Sequence, residues 1–451
     1  MRRGIPLKTA LTVLTFAGLI LLPQVAPALK NYKSLDPHSI PFVFDLPVPK
    51  AKEEPGTDPT ATAALRAKRM AATAANHLVD PRHSMDHFFE ALLKGGTTRI
   101  VHYGDSPTTA DLITADARSL LQKEFGDAGS GFVLVARPWA WYQHRGVEMS
   151  ASGWKIDIGG LANLKDGMYG LGGVSFSGLA GASARWKLKS ATQTTMEVAY
   201  LAQPDGGAFV VEAEGQQLGE VDTAAQANSL EYVSFPIPAG SSNFTLRASR
   251  GVIRVFGADF RKSSPGVEYS SLGINGANVT LLSRAFNQRQ WASALQHYKP
   301  DLVIINYGTN ESGFANFVDG TWASELKEAV RRVRAALPEV SILLMSPMDR
   351  GERNSTGEIC TIPAMPRLVG IESRIANETG AAFFNTFEAM GGEGTMARWY
   401  AAEPRLVGAD FIHPMPAGAK IVGELLYNAL RDGYNQYKLR QLKDTEADPN
   451  R

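Results

Sequence analysis

A serine hydroxyl is a poor nucleophile until a neighbouring base takes its proton. Gly104-Asp105-Ser106 stands between a short apolar run and a helical pattern, so Ser106 is expected on a tight strand-to-helix turn with its hydroxyl exposed. Near the other end, Gly408-Ala409-Asp410-Phe411-Ile412-His413-Pro414 sets a carboxylate three residues before a histidine. One turn of chain lets Asp410 reach Nδ1–H of His413, fix its tautomer and stabilise the imidazolium formed when His413 takes a proton. Two further loops follow apolar runs, Asn306-Tyr307-Gly308-Thr309-Asn310-Glu311 and Gly273-Ile274-Asn275-Gly276-Ala277. In them the Asn310 amide and the Gly276 backbone N–H would join the Ser106 N–H as donors to an oxyanion. One preorganised donor is worth about 3 kcal/mol of barrier. Alone, each segment has an ordinary reading as a capping turn, a common Asp-x-x-His pair, a loop amide or a turn glycine. Together they supply nucleophile, base, orienting acid and oxyanion donors, the set needed for acyl transfer.

These residues need a scaffold that gathers them. Five apolar runs, at 99–103, 267–272, 302–306, 342–346 and 381–385, read as buried strands, and helical patterns separate most of them. Such alternation predicts a three-layer α/β/α sandwich on a five-stranded parallel sheet, with the chemistry beyond the carboxyl ends of the strands. The interval 149–264 breaks the rhythm. Its period-two runs, such as Met196-Glu197-Val198-Ala199-Tyr200, and its glycine-rich turns predict an inserted all-β domain of about seven or eight strands. The expected order is an export signal at 1–28, a tether at 29–84, the α/β domain in two parts at 85–148 and 265–436 around the insertion at 149–264, and a polar tail at 437–451.

The export signal is expected from Met1-Arg2-Arg3, an apolar run of about 14 residues and Ala26-Pro27-Ala28. The run is short of the roughly 20 residues that span a bilayer, so no integral membrane domain is expected in the mature chain. An uncleaved anchor stays open, as do oligomeric state and the choice between periplasm, surface and medium. A formal net charge of +1 gives no field to attract nucleic acid. Cys360 is the single cysteine, which leaves no thiolate cluster for a metal and no internal disulfide. Trp139, Trp141 and Tyr142 lie just upstream of the insertion and suit either a sugar-stacking platform or interdomain packing.

With those blocks in place, the chain resembles the SGNH (GDSL) hydrolases. Gly104-Asp105-Ser106, Gly276, Asn310 and Asp410-x-x-His413 match that family's four blocks in order. The resemblance implies a Ser106–His413–Asp410 triad, an oxyanion hole of Ser106, Gly276 and Asn310, and no metal or organic cofactor. Tyr307-Gly308-Thr309-Asn310-Glu311 and the inserted β-domain are similar to the bacterial peptidoglycan O-acetylesterase branch, whose insertion is like a jelly-roll carbohydrate-binding module. That implies an O-acetylated glycan as substrate. An O-acetyltransferase with the same triad, a general carboxylesterase and a non-catalytic glycan-binding protein are the alternatives.

Overall fold

The structure, a computed structural model, describes residues 77–160 and 166–447. The expected export segment and nearly all of the expected tether lie outside the described residues. In chain order, β1 (Leu78–Val79), α1 (Asp86–Lys94), β2 (Thr97–Gly104), α2 (Ser106–Thr109) and α3 (Ile113–Phe125) come first. Nine strands follow: β3 (Gly129–Val133), β4 (Val147–Ile158), β5 (Val174–Leu188), β6 (Thr195–Ala202), β7 (Ala208–Ala213), β8 (Gln216–Asp222), β9 (Ser229–Pro236), β10 (Asn243–Arg250) and β11 (Val252–Arg261). The chain then returns through β12 (Gly266–Gly273), α4 (Gln288–Tyr298), β13 (Leu302–Asn306), α5 (Trp322–Ala336) and β14 (Ser341–Met345). A hairpin of β15 (Gly351–Arg353) and β16 (Ile359–Thr361) precedes α6 (Met365–Thr379), β17 (Ala382–Phe384) and the long α7 (Pro416–Ala447).

The α/β sheet has the order β1-β17-β14-β13-β2-β12. Its sides segregate by residue parity, because successive strand side chains point to opposite faces. Ile100, Leu302, Ile304 and Leu343 join a cluster with Phe88 and Phe89 of α1, Leu121 of α3 and Leu425 of α7. Val101, Val303, Ile305 and Leu344 join another with Trp291 of α4, Trp322 of α5 and Leu368 of α6. Burial on both faces is why these strands read as unbroken apolar runs.

Three expectations need correction. The sheet is six-stranded and mixed, not five-stranded and parallel, because Leu78 and Val79 pair antiparallel with Phe384 and Phe383 of β17. These residues, expected in the tether, cover a backbone edge that would otherwise be open. The polar tail is instead the end of α7, which continues to Ala447. Tyr437 is buried against Phe89 and Arg440 pairs with Asp86, so the helix still has a face to dock beyond residue 436. The insertion has nine strands and begins at Gly129, not at 149. β3 (GSGFV) is rich in glycine and reads as a turn, yet it pairs with β11 from Val133↔Ala258 to Gly129↔Arg261.

All nine strands form one antiparallel network, in which the long β5 pairs with β4, β10 and β11. Its core is continuous with the α4–α5–α6 side of the α/β sheet: Phe132, Trp186, Phe256 and Phe260 belong to the same apolar cluster as Tyr103 and Trp291. Polar contacts reinforce the seam. Trp291 Nε1–H donates to Tyr103 Oη (2.9 Å), whose hydroxyl donates to the Leu171 carbonyl (3.1 Å). His297 of α4 stacks on Tyr232 of β9 at 3.5 Å and lies 2.9 Å from Glu197 Oε1 of β6.

At the start of α3, Asp111 adopts a left-handed conformation (φ 50°). Its carboxylate takes two hydrogen bonds from Arg118, at 2.6 and 3.0 Å, and accepts from Thr114 Oγ1–H and the Arg145 backbone N–H, both at 2.7 Å. Burial alone would raise the Asp111 pKa, but the Arg118 guanidinium and these bonds hold it below the ordinary carboxylate value. Asp111→Ala would strand the buried Arg118 charge. We expect it to cost about 3–5 kcal/mol, read as a lowered midpoint in denaturant unfolding.

Candidate active site

β2 and β12 both end in glycine, and Gly104 and Gly273 are register partners. A Cβ at Gly104 would lie 2.2 Å from Thr108 Oγ1, and one at Gly273 would lie 2.4 Å from the Thr109 nitrogen. The turn α2 that carries Ser106 therefore rests directly across the two strand ends. Thr109 Oγ1–H donates to the Gly273 carbonyl and Ile274 N–H to the Gly104 carbonyl, each at 3.0 Å. Pro107 falls in the first helical turn, where its missing N–H removes no intrahelical bond. Ser106 opens this turn.

The opposing wall is the 408–414 loop. Gly408 N–H donates to the His413 carbonyl (2.8 Å), and Val407 bridges to Pro414. Between them Phe411 takes a left-handed φ of 59°, a strained choice for an aromatic residue. Edge-on packing on Tyr400 (4.9 Å) and a bond from Gly351 N–H to the Phe411 carbonyl (2.9 Å) hold it there. The tight loop turns the N–H groups of Ile412 and His413 onto Asp410 Oδ1, at 3.0 and 3.1 Å. Asp410 Oδ2 lies 2.6 Å from His413 Nδ1, and His413 Nε2 lies 2.8 Å from Ser106 Oγ. Donation by Nδ1–H to the carboxylate leaves the Nε2 lone pair facing the serine proton. Burial raises the Asp410 pKa, but the His413 bond and the two backbone N–H groups outweigh it and hold the carboxyl below its ordinary value. A hydroxyl, an imidazole and an ionised acid in this relay can generate an alkoxide-like nucleophile.

β13 flanks β2 on its other side and aligns Asn306 with Gly104. The loops bearing Ser106, Gly276 and Asn310 thus leave three adjacent strands at one level. Asn310 Nδ2 donates one hydrogen to the Ala277 carbonyl (2.7 Å), which fixes the amide and ties its loop to that of Gly276. Gly276 is exposed at φ 71°, and a Cβ there would touch nothing within 4 Å. The left-handed backbone, not crowding, is what calls for glycine.

The three aromatic residues part company. Trp141 is 53% exposed and lines a cleft of about 430 Å³ with Ser106, Pro107, Leu112, His413 and Pro414. Trp139 and Tyr142 pack edge to face at 5.9 Å against the core instead. His102 is held in the core beside the Tyr269 hydroxyl (2.7 Å), and burial pushes its pKa down to about 4. His144 is buried likewise, with Nε2 2.9 Å from the Ser130 carbonyl.

Sequence reasoning gave no role to a set of buried carboxyls behind the Gly276 and Asn310 loops. Glu311 is 3% exposed, and its two oxygens accept from Val279 N–H (2.8 Å) and Gly308 N–H (3.0 Å). Burial raises its pKa to about 7. Asp105, whose Oδ2 has no hydrogen-bond partner, is pushed to about 8 by burial and by Glu311. Burial and Glu311 also push Glu372 of α6 well up. The one available signal was Glu311 itself, an acid beside a candidate oxyanion donor. Among the described residues no group of three or more His, Cys, Asp or Glu could hold a metal ion, and no helix is long and apolar enough to cross a membrane.

Residues 238–421 match the model of the GDSL-like lipase/acylhydrolase family. Ser106 lies upstream of that match, separated by the insertion from the segments that carry Gly276, Asn310 and His413. No curated protein matches the chain in sequence. Among solved structures, a peptidoglycan O-acetylesterase superposes with a TM-score of 0.67 at 23% identity, over 80% of this chain and 99% of its own. A family two carbohydrate esterase from Clostridium thermocellum, solved with cellohexaose, matches with a TM-score of 0.28 at 14% identity, over 62% of this chain and 100% of its own. The C-terminal carbohydrate-binding module of a Zobellia galactanivorans laminarinase matches with a TM-score of 0.19 at 15% identity, over 26% of this chain and 99% of its own. The last two likenesses are too slight to carry an argument. The chain thus shares its fold with a peptidoglycan O-acetylesterase, and its residues 238–421 are similar to the GDSL-like lipase/acylhydrolase family.

Proposed function

We propose that this protein is an exported SGNH-type serine esterase that removes O-acetyl groups from a cell-wall or exported polysaccharide, peptidoglycan above all, through an acetyl-serine intermediate. The observation that carries the reading is the Ser106–His413–Asp410 relay opening on a cleft walled by an exposed tryptophan. An indole face suits the apolar face of a sugar ring. The architecture shared with a peptidoglycan O-acetylesterase supports the same substrate class.

In the first step His413 Nε2 takes the Ser106 proton as Oγ attacks the acetyl carbonyl. The N–H groups of Ser106 and Gly276 and the second Nδ2 hydrogen of Asn310 receive the developing oxyanion. His413 then returns the proton to the sugar oxygen, and the glycan leaves as a free alcohol. In the second step His413 takes a proton from water, whose hydroxide attacks the acetyl-serine. Collapse releases acetate and restores the Ser106 hydroxyl with the proton from His413. The side chains of His413 and Asp410 are 46% and 47% exposed, so water reaches the base directly. This favours hydrolysis over transfer to a second sugar hydroxyl, which would need water kept out.

Acetate release from O-acetylated peptidoglycan should depend on Ser106, with Ser106→Ala reducing it at least about a thousandfold. Turnover of a small acetyl ester without acetate release from the polymer would keep the triad and sink the cell-wall assignment. Asp410→Asn should lower kcat by roughly 10²–10⁴-fold. Because Asp410 is held below the ordinary carboxylate value, it keeps its charge and its hold on His413 as the pH falls through the ordinary carboxylate range. Trp141→Ala should lower kcat/KM on the polymer about tenfold while leaving a small acetyl ester within about twofold. Equal losses on both substrates would remove the stacking role.

A further inference from the structure

We infer that Glu311 is a positioning residue that clamps the Gly276 and Asn310 loops into one oxyanion-binding unit, an inference that rests on the esterase reading above. Three bonds converge on this seam. The Asn310 amide donates across it to the Ala277 carbonyl at 2.7 Å. Glu311, the next residue, accepts from Val279 N–H of the Gly276 loop at 2.8 Å and from Gly308 N–H of its own loop at 3.0 Å. One carboxylate therefore fixes both sides of the gap in which the oxyanion must sit.

The requirement is chemical as well as steric. Val279 and Glu311 are both buried, so a lost acceptor leaves an N–H with no water to replace it. An ionised carboxyl offers a full acceptor oxygen to each donor, whereas a glutamine would present an amide N–H to one of them. Other charges are kept off this group. Asp105 approaches from the nucleophile turn, Glu372 from α6 and Tyr307 from the same loop, all buried with their protons favoured by that burial. Arg350 donates to the Thr309 carbonyl at 2.7 Å and so braces the loop from the far side. Deprotonated Glu311 is the form that the two N–H groups select.

The test is steady-state kinetics of wild type, Glu311→Gln and Glu372→Gln on 4-nitrophenyl acetate, with inhibition by an alkyl boronic acid, which places an oxygen in an oxyanion hole. Glu311→Gln should lower kcat about 10–100-fold, leave KM within about twofold and weaken boronate inhibition in proportion. Glu372→Gln, which leaves both backbone donors with their Glu311 acceptors, should keep both. An unchanged kcat, or a raised KM with kcat retained, would overturn the clamp. If Glu311→Gln does not fold, amide exchange in the wild type decides. Protection of Val279 and Gly308, corrected for intrinsic rates, should fall together as pH drops through about 7, and constant protection would overturn the proposal. Ester turnover that needs Ser106 in the same assay tests the esterase reading separately, so the two can fail independently.

Discussion

Everything at the catalytic end depends on how closely a four-residue turn can lie on two strand ends. Side chains on Gly104 or Gly273 would collide with Thr108 and Thr109. Without them, α2 settles across β2 and β12 and Ser106 is delivered at a fixed height above the sheet. The neighbouring strand β13 ends at the same level, so the loops bearing Gly276 and Asn310 begin from a common plane. The His413 loop then has one task, to turn tightly enough that its own acid and base meet the serine. It does so through a left-handed Phe411 held by packing, with the strain carried by a residue that performs no chemistry.

The parts legible in the sequence are those governed by local pattern. Apolar runs such as Leu302–Asn306 are strands because both faces are buried. The segments carrying Ser106, Asn310 and Asp410 could be singled out because each follows a strand or precedes the last helix. What escaped was set by tertiary contact. Leu78 and Val79 are a strand because β17 offers them an edge, and α7 outruns its apolar pattern because Tyr437 finds Phe89. Gly129–Val133 is a strand because β11 pairs with it. Trp139, Trp141 and Tyr142 look equivalent on paper, yet one faces the cleft and two face the core. Glu311 was visible in its motif, but its role lies in two backbone donors that only the fold brings near it.

The insertion and the α/β domain are one packed body in a physical sense. Its phenylalanines share a core with Tyr103 and Trp291, and the segment between β3 and β4 supplies Trp141 to the cleft. The seam joins side chains from both sides, with Glu197 and Tyr232 of the β-domain holding His297 of α4. The site geometry therefore draws on both domains.

The pairing of β3 with β11 also bears on how the chain folds. β2 and β12 must zip together along their full length although the whole insertion lies between them. For a disordered connection, that meeting carries the closure entropy of a very long loop. Once the insertion is folded, Gly129 and Arg261 are register partners, so its entrance and exit stand side by side. The effective tether between β2 and β12 then shrinks to α2, α3 and a few flanking residues. A chain that folds its middle first lowers the entropic barrier to completing its α/β sheet, and the catalytic end is assembled last.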